Sequence, residues 1–278
     1  MGKLLKIENL SKEGILSSVS FEMEEGEMLA VMGPSGSGKS TLLYQAAGMD
    51  APSGGRVWLK ETEITGLDED GKAALRLHRM GFVFQQMNMM ANLNILDNIL
   101  LPAVQANRSR GAKKRAPGKS AGELAQEARA LMEKLGLSGL EERRITQVSG
   151  GQLQRACICR SMMNSPEILF ADEPTGALNQ SAAKEVMEEL TKLNREGTAI
   201  LMVTHDSKVA GCCERILYLL DGRICGELRL GKMTAGADNR NPGKTAAGVG
   251  TLYPGETEFW TEKQREKKVK AWLSQMGW

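Results

Sequence analysis

Aromatic residues make up only 4% of this 278-residue chain, histidine occurs twice, and the formal net charge is just +2. So small a charge leaves no basic footprint spread over the surface, and a nucleic-acid partner is not expected. Five cysteines (Cys157, Cys159, Cys212, Cys213, Cys225) are an odd number without a C-x-x-C pair, which argues against a disulfide framework and leaves reduced thiols. Cys157 and Cys159, two apart in an expected helix, do not share a face and make a poor metal pair. No apolar run approaches the roughly 18 residues that span a bilayer, so translocation by this chain alone is excluded. Met1 to Leu10 carries charges through its apolar part, unlike a signal peptide.

What is present is ordinary globular composition, 41% hydrophobic and 25% charged, in a length that suits one large domain or two modest ones. Alternation at Leu5 to Glu8 and Val19 to Met23 reads as strands forming an antiparallel edge. Met28 to Met32 is continuously apolar, as in a strand buried on both faces, and it runs straight into a glycine-rich stretch. A helix is expected from about Ser40 to Ala47, a strand at Arg56 to Leu59, a charged helix at Asp68 to His78 and an apolar strand at Gly81 to Phe84. From Ile95 to about Gly136 the period turns helical, as in an all-helical insertion. Strand, helix and strand then return at Glu167 to Ala171, Ser181 to Arg195 and Ala199 to Val203, which implies a mostly parallel sheet. Arg215 to Leu220 and Arg223 to Leu228, joined by Asp221-Gly222, carry a hairpin signal.

Three segments stand apart. Asn107 to Ser120 holds Arg108, Arg110, Lys113, Lys114, Arg115 and Lys119 without an acid. It reads as a solvated loop, or as a contact for anionic lipid headgroups at about 1 kcal/mol per basic residue. Residues 231–255 have linker composition. Phe259 to Trp278 reads as an amphipathic helix that docks on the body or a partner, with a membrane-surface role as the alternative.

The chemistry concentrates in two motifs. Gly33-Pro34-Ser35-Gly36-Ser37-Gly38-Lys39-Ser40-Thr41 matches G-x-x-x-x-G-K-[ST] between an apolar strand and a helix. Glycines let backbone N–H groups curl around phosphates, the helix adds its positive end, Lys39 reaches the β and γ phosphates, and Ser40 offers a hydroxyl to magnesium. Glu167 to Glu173 is an apolar strand ending in two carboxylates, Asp172 to hold magnesium and Glu173 to polarise a water. Gln85 and His205 follow two further strands, and parallel strands bring such ends to one carboxyl edge.

Val148-Ser149-Gly150-Gly151-Gln152, followed by Gln154-Arg155, resembles the L-S-G-G-Q signature of ABC-type ATPases, and it stands in that family's order between the loop and Asp172-Glu173. The resemblance covers about Leu4 to Leu228. It implies an α/β P-loop NTPase fold: an ABC-type nucleotide-binding domain at 1–230 with a mostly parallel core sheet, an antiparallel β edge and a helical subdomain at about 92–163. The linker at 231–255 and a C-terminal helix at 256–278 would follow. It further implies ATP and Mg2+ as ligands, with two copies pairing head to tail so that Ser149, Gly150, Gly151 and Gln152 of one chain face the other's Gly33 to Thr41. Glu173 then resembles the general base, His205 the switch histidine, and Gln85 the residue that senses magnesium and water.

Gly33 to Leu43, Phe82 to Gln85 and Ala171 to Gly176 look like the lipoprotein-release and macrolide-export branch, and Gly176 to Asn179 with the Trp-rich tail is similar to bacitracin-type peptide transporters. The implied role is an ATPase on the inner face of the cell membrane, powering a separate permease for export of, or resistance to, antimicrobial peptides or lipid-linked substrates. Met87 to Asn92 lies where such ATPases face a permease, although plain core filling suits its methionines equally. Other classes are a soluble ABC ATPase acting on nucleic acid or ribosomes, and a nucleotide-gated regulator. Two departures from the family stand out: Ser11 to Ser18 has no aromatic to stack on adenine, and Asn179 replaces an aspartate that communicates across the dimer.

Overall fold

Alternating burial along the first two segments produces an antiparallel pair, β1 (Lys3–Lys12) and β2 (Leu16–Glu24), in the computed structural model, which describes residues 2–112, 119–232 and 260–278. Together with β4 (Gly54–Leu59) and β5 (Thr62–Glu63) they form a separate four-stranded sheet, ordered β2-β1-β4-β5. The expected antiparallel edge is therefore a sheet of its own. Its apolar face closes one hydrophobic core, built from Leu5, Ile7 and Val57 against Leu42, Leu43 and Phe170.

Runs buried on both faces form the second sheet. β3 (Met28–Met32), β7 (Ile168–Asp172) and β8 (Ala199–Val203) are buried at every position, the pattern of parallel strands covered above and below. With β6 (Met80–Val83), β9 (Arg215–Leu220) and β10 (Arg223–Arg229) they run in the order β10-β9-β3-β8-β7-β6, parallel except for β10. β7 starts one residue later than expected and includes Asp172, because Asp172 still pairs with Val203 while the Glu167 carboxylate is drawn out to Arg79.

Helices cover this sheet. α1 (Lys39–Ala46) follows the glycine loop, and α2 (Glu69–Arg79) begins at Asp68, whose carboxylate caps Gly71. The helical insertion holds α3 (Ile95–Ala112), α4 (Ala121–Lys134) and α5 (Gly150–Met162), packed through Ile99, Ala103, Ala128, Met132 and Ile158 into the second core. The basic segment expected to be a loop from Asn107 is still helical to Ala112, and 113–118 lies outside the described residues. Most of the linker expectation, at 233–255, also falls outside them, as do residues 256–259 of the expected C-terminal helix.

α6 (Gln180–Arg195) and the short α7 (Ser207–Gly211) flank β8, and α8 (Glu262–Gln275) docks on the body. Val269 and Leu273 enter the core, and Trp272 meets Tyr218 edge to face with ring centroids 6.1 Å apart. Burying such side chains stabilises the contact by roughly 1.5–3 kcal/mol each. Gly226 makes the docking possible, since a Cβ there would lie 2.8 Å from Met276 Cε and 3.0 Å from Trp272 Cζ2. Among the described residues no helix is long and apolar enough to cross a membrane.

Candidate active site

Four parallel strands deliver the chemical residues to one edge: the loop from Gly33 follows β3, Asp172-Glu173 closes β7, His205 follows β8, and Gln85 follows β6. In-register pairs Val31–Val203, Asp172–Val203 and Val83–Ala171 align these ends. Strand spacing of about 4.8 Å then sets their separation.

The loop is shaped by close approach. A Cβ on Gly33 would stand 2.0 Å from Leu219 O, so no side chain fits there. Gly38 is the N-cap of α1 in the left-handed region (φ 96), with Leu16 2.8 Å from the place of a Cβ. No side chain caps α1, so its first N–H groups are donors aimed out of the helix end beside the loop. Ser37 Oγ is buried without a partner among the described residues. Pro34, Ser35 and Gly36 are exposed. Lys39 Nζ donates to Gly33 O and Pro34 O, both at 2.8 Å. Burial lowers the Lys39 pKa from its ordinary value, opposed by the Glu173 and Asp172 charges.

Asp172 receives two donors: Ser40 Oγ at 3.0 Å on Oδ1 and Tyr44 Oη at 2.7 Å on Oδ2. Two oxygens 3.0 Å apart match adjacent corners of an octahedron with metal–oxygen bonds of about 2.1 Å. Among the described residues no three His, Cys, Asp or Glu side chains could form a metal cage. A magnesium ion shared between one carboxylate and substrate phosphates does not require one. The donor set therefore fits Mg2+. Tyr44 was not foreseen from the sequence; its spacing of four from Ser40, on the same face of α1, was the available signal.

Glu173 sits at φ 47, its N–H bonded to Val203 O at 3.0 Å, so the backbone turns sharply where the carboxylate is presented. His205 Nδ1 and Glu173 Oε1 are 2.7 Å apart. An ionised carboxylate only accepts, and the bond then uses the ring tautomer that donates through Nδ1. Gln85 Nε2 and Glu173 Cβ each lie 3.5 Å from the Cβ position of Gly176, on the turn that follows Glu173.

Ser149 caps α5 in a reciprocal box: its Oγ accepts from Gln152 N at 3.2 Å, and Gln152 Oε1 accepts from Ser149 N at 2.8 Å. Gly151 packs on Ala182, which stands 2.9 Å from its Cβ position, and Gly150 lies against Leu178. Ser149 and Gly150 are exposed. None of these bonds reaches the Gly33 to Thr41 loop, so the structure does not bring the two motifs together within one chain. Asn179 caps α6 by accepting from Ala182 N at 2.9 Å. Asn and Asp are near-equal caps, so the departure at 179 preserves the helix start.

The β1–β2 turn puts Ile15 where an aromatic was missing. It is exposed, and its Cγ2 is 3.2 Å from the Cβ position of Gly38. A cavity of about 600 Å³ lined by Ser11, Lys12, Ile15, Gly36 and Ser53 opens there. A second cavity of about 810 Å³, between α6, α7 and α8, contains none of the motif residues.

A glycine loop, a helix N-terminus, a hydroxyl–carboxylate pair and a carboxylate–histidine pair on one parallel-sheet edge define a P-loop nucleotide triphosphatase. The model of the ABC transporter family matches residues 16–176, and the chain belongs to that family as an ATP-binding cassette with its ATPase machinery. Its relatives include the macrolide export ATP-binding/permease protein MacB of Sodalis glossinidius (strain morsitans), 42% identical over 215 residues, which are 77% of this chain and 31% of that protein. MacB of Agrobacterium fabrum is 35% identical over 263 residues, 94% of this chain and 38% of that protein. The chain thus spans about a third of these curated relatives. Among solved structures, the ATP-binding cassette MJ0796, in a dimeric post-hydrolysis state bound to ADP and Pi, superposes with a TM-score of 0.73 at 35% identity, covering 82% of this chain and 99% of that one.

Proposed function

We propose that this chain is the ATP-hydrolysing subunit of an exporter, working on the inner face of the cell membrane against a separate permease. The observation that carries this reading is the division of the motifs. The phosphate loop, Asp172, Glu173 and His205 converge on one edge, whereas Ser149 and Gly150 are exposed and the bonds between Ser149 and Gln152 stay within their own helix start. A second copy, placed head to tail, brings its Ser149, Gly150 and Gly151 N–H groups to the γ phosphate.

In that composite site Lys39 and the first turn of α1 hold the β and γ phosphates, with Thr41 beside the α phosphate. Glu173 accepts the proton of the attacking water, and His205 keeps the carboxylate aimed through the bond at Nδ1. Ser40, Asp172 and Gln85 would hold the magnesium that accompanies ATP and supplies charge neutralisation at the phosphates. Ile15 offers the base an aliphatic face, so the grip on adenine is weaker than on the triphosphate.

The permease reading is supported by a cleft of about 550 Å³ between α2, α3 and β6, lined by Met49, Phe82, Phe84, Leu101 and Pro102. Met49, Met90 and Leu101 are 40%, 48% and 38% exposed. Met90 lies outside the lining of this cleft, and the apolar part formed by Met49, Phe82, Phe84, Leu101 and Pro102 suits a partner's short helix. Kinship with macrolide export proteins supports export; antimicrobial peptides or lipid-linked compounds are the proposed cargo class.

The test is Glu173→Gln. With ATP the variant should elute as a stable dimer that does not turn over, and wild type co-expressed with its membrane partner should copurify with it. A variant that stays monomeric with ATP, or a wild type that captures ribosomes or DNA and no membrane protein, sinks the proposal.

A further inference from the structure

Among the described residues Arg265 is the largest fully buried side chain, at 2% exposure, yet none of them places a carboxylate at ion-pair distance from it. Its guanidinium donates instead to four backbone carbonyls: Nε to Gly211 O at 2.6 Å, Nη2 to Cys213 O at 2.6 Å and to Gly231 O at 3.0 Å, and Nη1 to Leu230 O at 3.1 Å. A buried cation satisfied only by carbonyls is costly to desolvate, and burial does lower the Arg265 pKa from its ordinary value. Arginine is the side chain whose rigid fork can serve several acceptors at once.

What those carbonyls belong to gives the arrangement its meaning. Gly211 is the last residue of α7, a five-residue helix too short to hold itself together. The guanidinium therefore sits at the negative end of α7 and supplies donors that its final carbonyls lack. At the other end of α7, Asp206 caps Lys208 N at 2.7 Å, and the residue before Asp206 is His205. Thr204 anchors the near side, its N–H bonded to Val31 O at 3.2 Å and its Oγ1 accepting from Asp206 N at 3.1 Å. His205 thus hangs between a fixed strand end and a short helix whose far end is held by α8. Gly211 lets the backbones meet, with Glu266 N 3.4 Å from the place of its Cβ, and Val209 and Val269 share the core beside it.

We infer that Arg265 is a positioning residue for His205: by tying the end of α7 to α8, it fixes the turn that presents the imidazole to Glu173. The inference rests on reading Glu173 and His205 as the hydrolytic pair. It gives the C-terminal helix a part in the reaction although no residue of that helix touches the phosphate edge.

The test uses full-length Arg265→Gln and Arg265→Lys. Arg265→Gln should lower kcat roughly ten- to hundredfold, the scale of a small misplacement of a catalytic group, while KM for ATP stays within about twofold. Arg265→Lys should recover part of the loss. In a double-mutant cycle, Arg265→Gln should cost nothing further once His205 is alanine, because its effect passes through that ring. Amide exchange in Arg265→Gln should accelerate at 205–211 and stay unchanged at 28–46.

An unchanged kcat, losses that multiply with His205→Ala, or exchange accelerated equally at 28–46 would overturn the inference in favour of a purely structural arginine. If Arg265→Gln does not fold, Val269→Ala loosens the same α7–α8 contact and must satisfy the same criteria on a smaller scale. Should wild type fail to hydrolyse ATP, the ATPase reading falls first, and exchange at 205–211 still decides whether Arg265 holds the turn.

Discussion

Removing one oxygen from Tyr44 separates a positioning role from mere packing. Tyr44→Phe keeps the ring, which stacks obliquely on Phe84 at 6.4 Å, and deletes only the donor 2.7 Å from Asp172 Oδ2. A hydrogen bond to a carboxylate contributes about 1.5–3 kcal/mol, and this partly solvated one belongs at the low end, about 1.5 kcal/mol. If that bond holds Asp172 so that Oδ1 faces Ser40, its loss should raise the magnesium concentration for half-maximal ATPase by about tenfold, with little change in kcat at saturating metal. A magnesium titration at fixed ATP reads the shift directly.

The same bond has a pH signature. Burial, reinforced by Asp172, raises the Tyr44 pKa from 10.0 to about 12. Between those values the folded chain retains a proton that the unfolded chain has released. The stabilisation is therefore complete below about pH 10 and is lost as pH rises towards about 12. The shift corresponds to about 2.7 kcal/mol at most, and solvent exposure reduces this to about 1–2 kcal/mol. In urea unfolding, wild type should lose about 1–2 kcal/mol of stability between pH 10 and about 12 through this group, a loss that Tyr44→Phe does not show, so the difference between the two should narrow from about pH 10 upward. Equal magnesium requirements together with a gap independent of pH would refute the assignment of Tyr44 to Asp172.

Other outcomes follow from single contacts. Asn179→Asp should match wild-type stability, whereas Asn179→Ala should lose about 1 kcal/mol in denaturant unfolding as the cap of α6 disappears. Ile15→Tyr should lower KM for ATP by about three- to tenfold by adding a stacking surface worth about 1 kcal/mol or more, measured in steady-state kinetics with ATP and GTP compared. Gly33→Ala should abolish nucleotide binding in a fluorescent-analogue titration, since the new methyl would collide with a backbone oxygen that cannot retreat. Of the five thiols Cys225 is exposed, Cys212 half-buried and the other three buried, so one equivalent should react rapidly with an aromatic disulfide reagent, a second more slowly and the remaining three only on unfolding.

The phosphate edge was legible in the sequence because its residues follow apolar runs that can only be buried strands. β3 and β8 begin and end where the apolar residues do. α3 was harder to delimit. Beyond Ala106 its residues turn polar and basic, and a helix that leaves the core loses the periodicity that marks it. Tyr44 and Arg265 were missed for a common reason: each is defined by partners far away in the chain, Asp172 for one and the carbonyls of Gly211 to Gly231 for the other. Arg265 stands in a stretch of lysines and glutamates that reads as solvated surface, and only the fold shows that one of those charges turns inward. Asn179 caps α6, a local duty that asparagine and aspartate share, so its departure from the family pattern leaves the helix start unaltered.

The exposed position of Ser149 and Gly150, at a helix start whose side-chain bonds do not reach the phosphate loop, bears on the rate law. A chain that carries two unlike halves of a reaction centre turns over in proportion to the square of its concentration when dilute, so isolated copies should waste little nucleotide. On the proposed function, anchoring two copies to one membrane partner would replace that bimolecular encounter with an effective local concentration in the millimolar range. On that reading, fuel consumption is gated by where the chains are held.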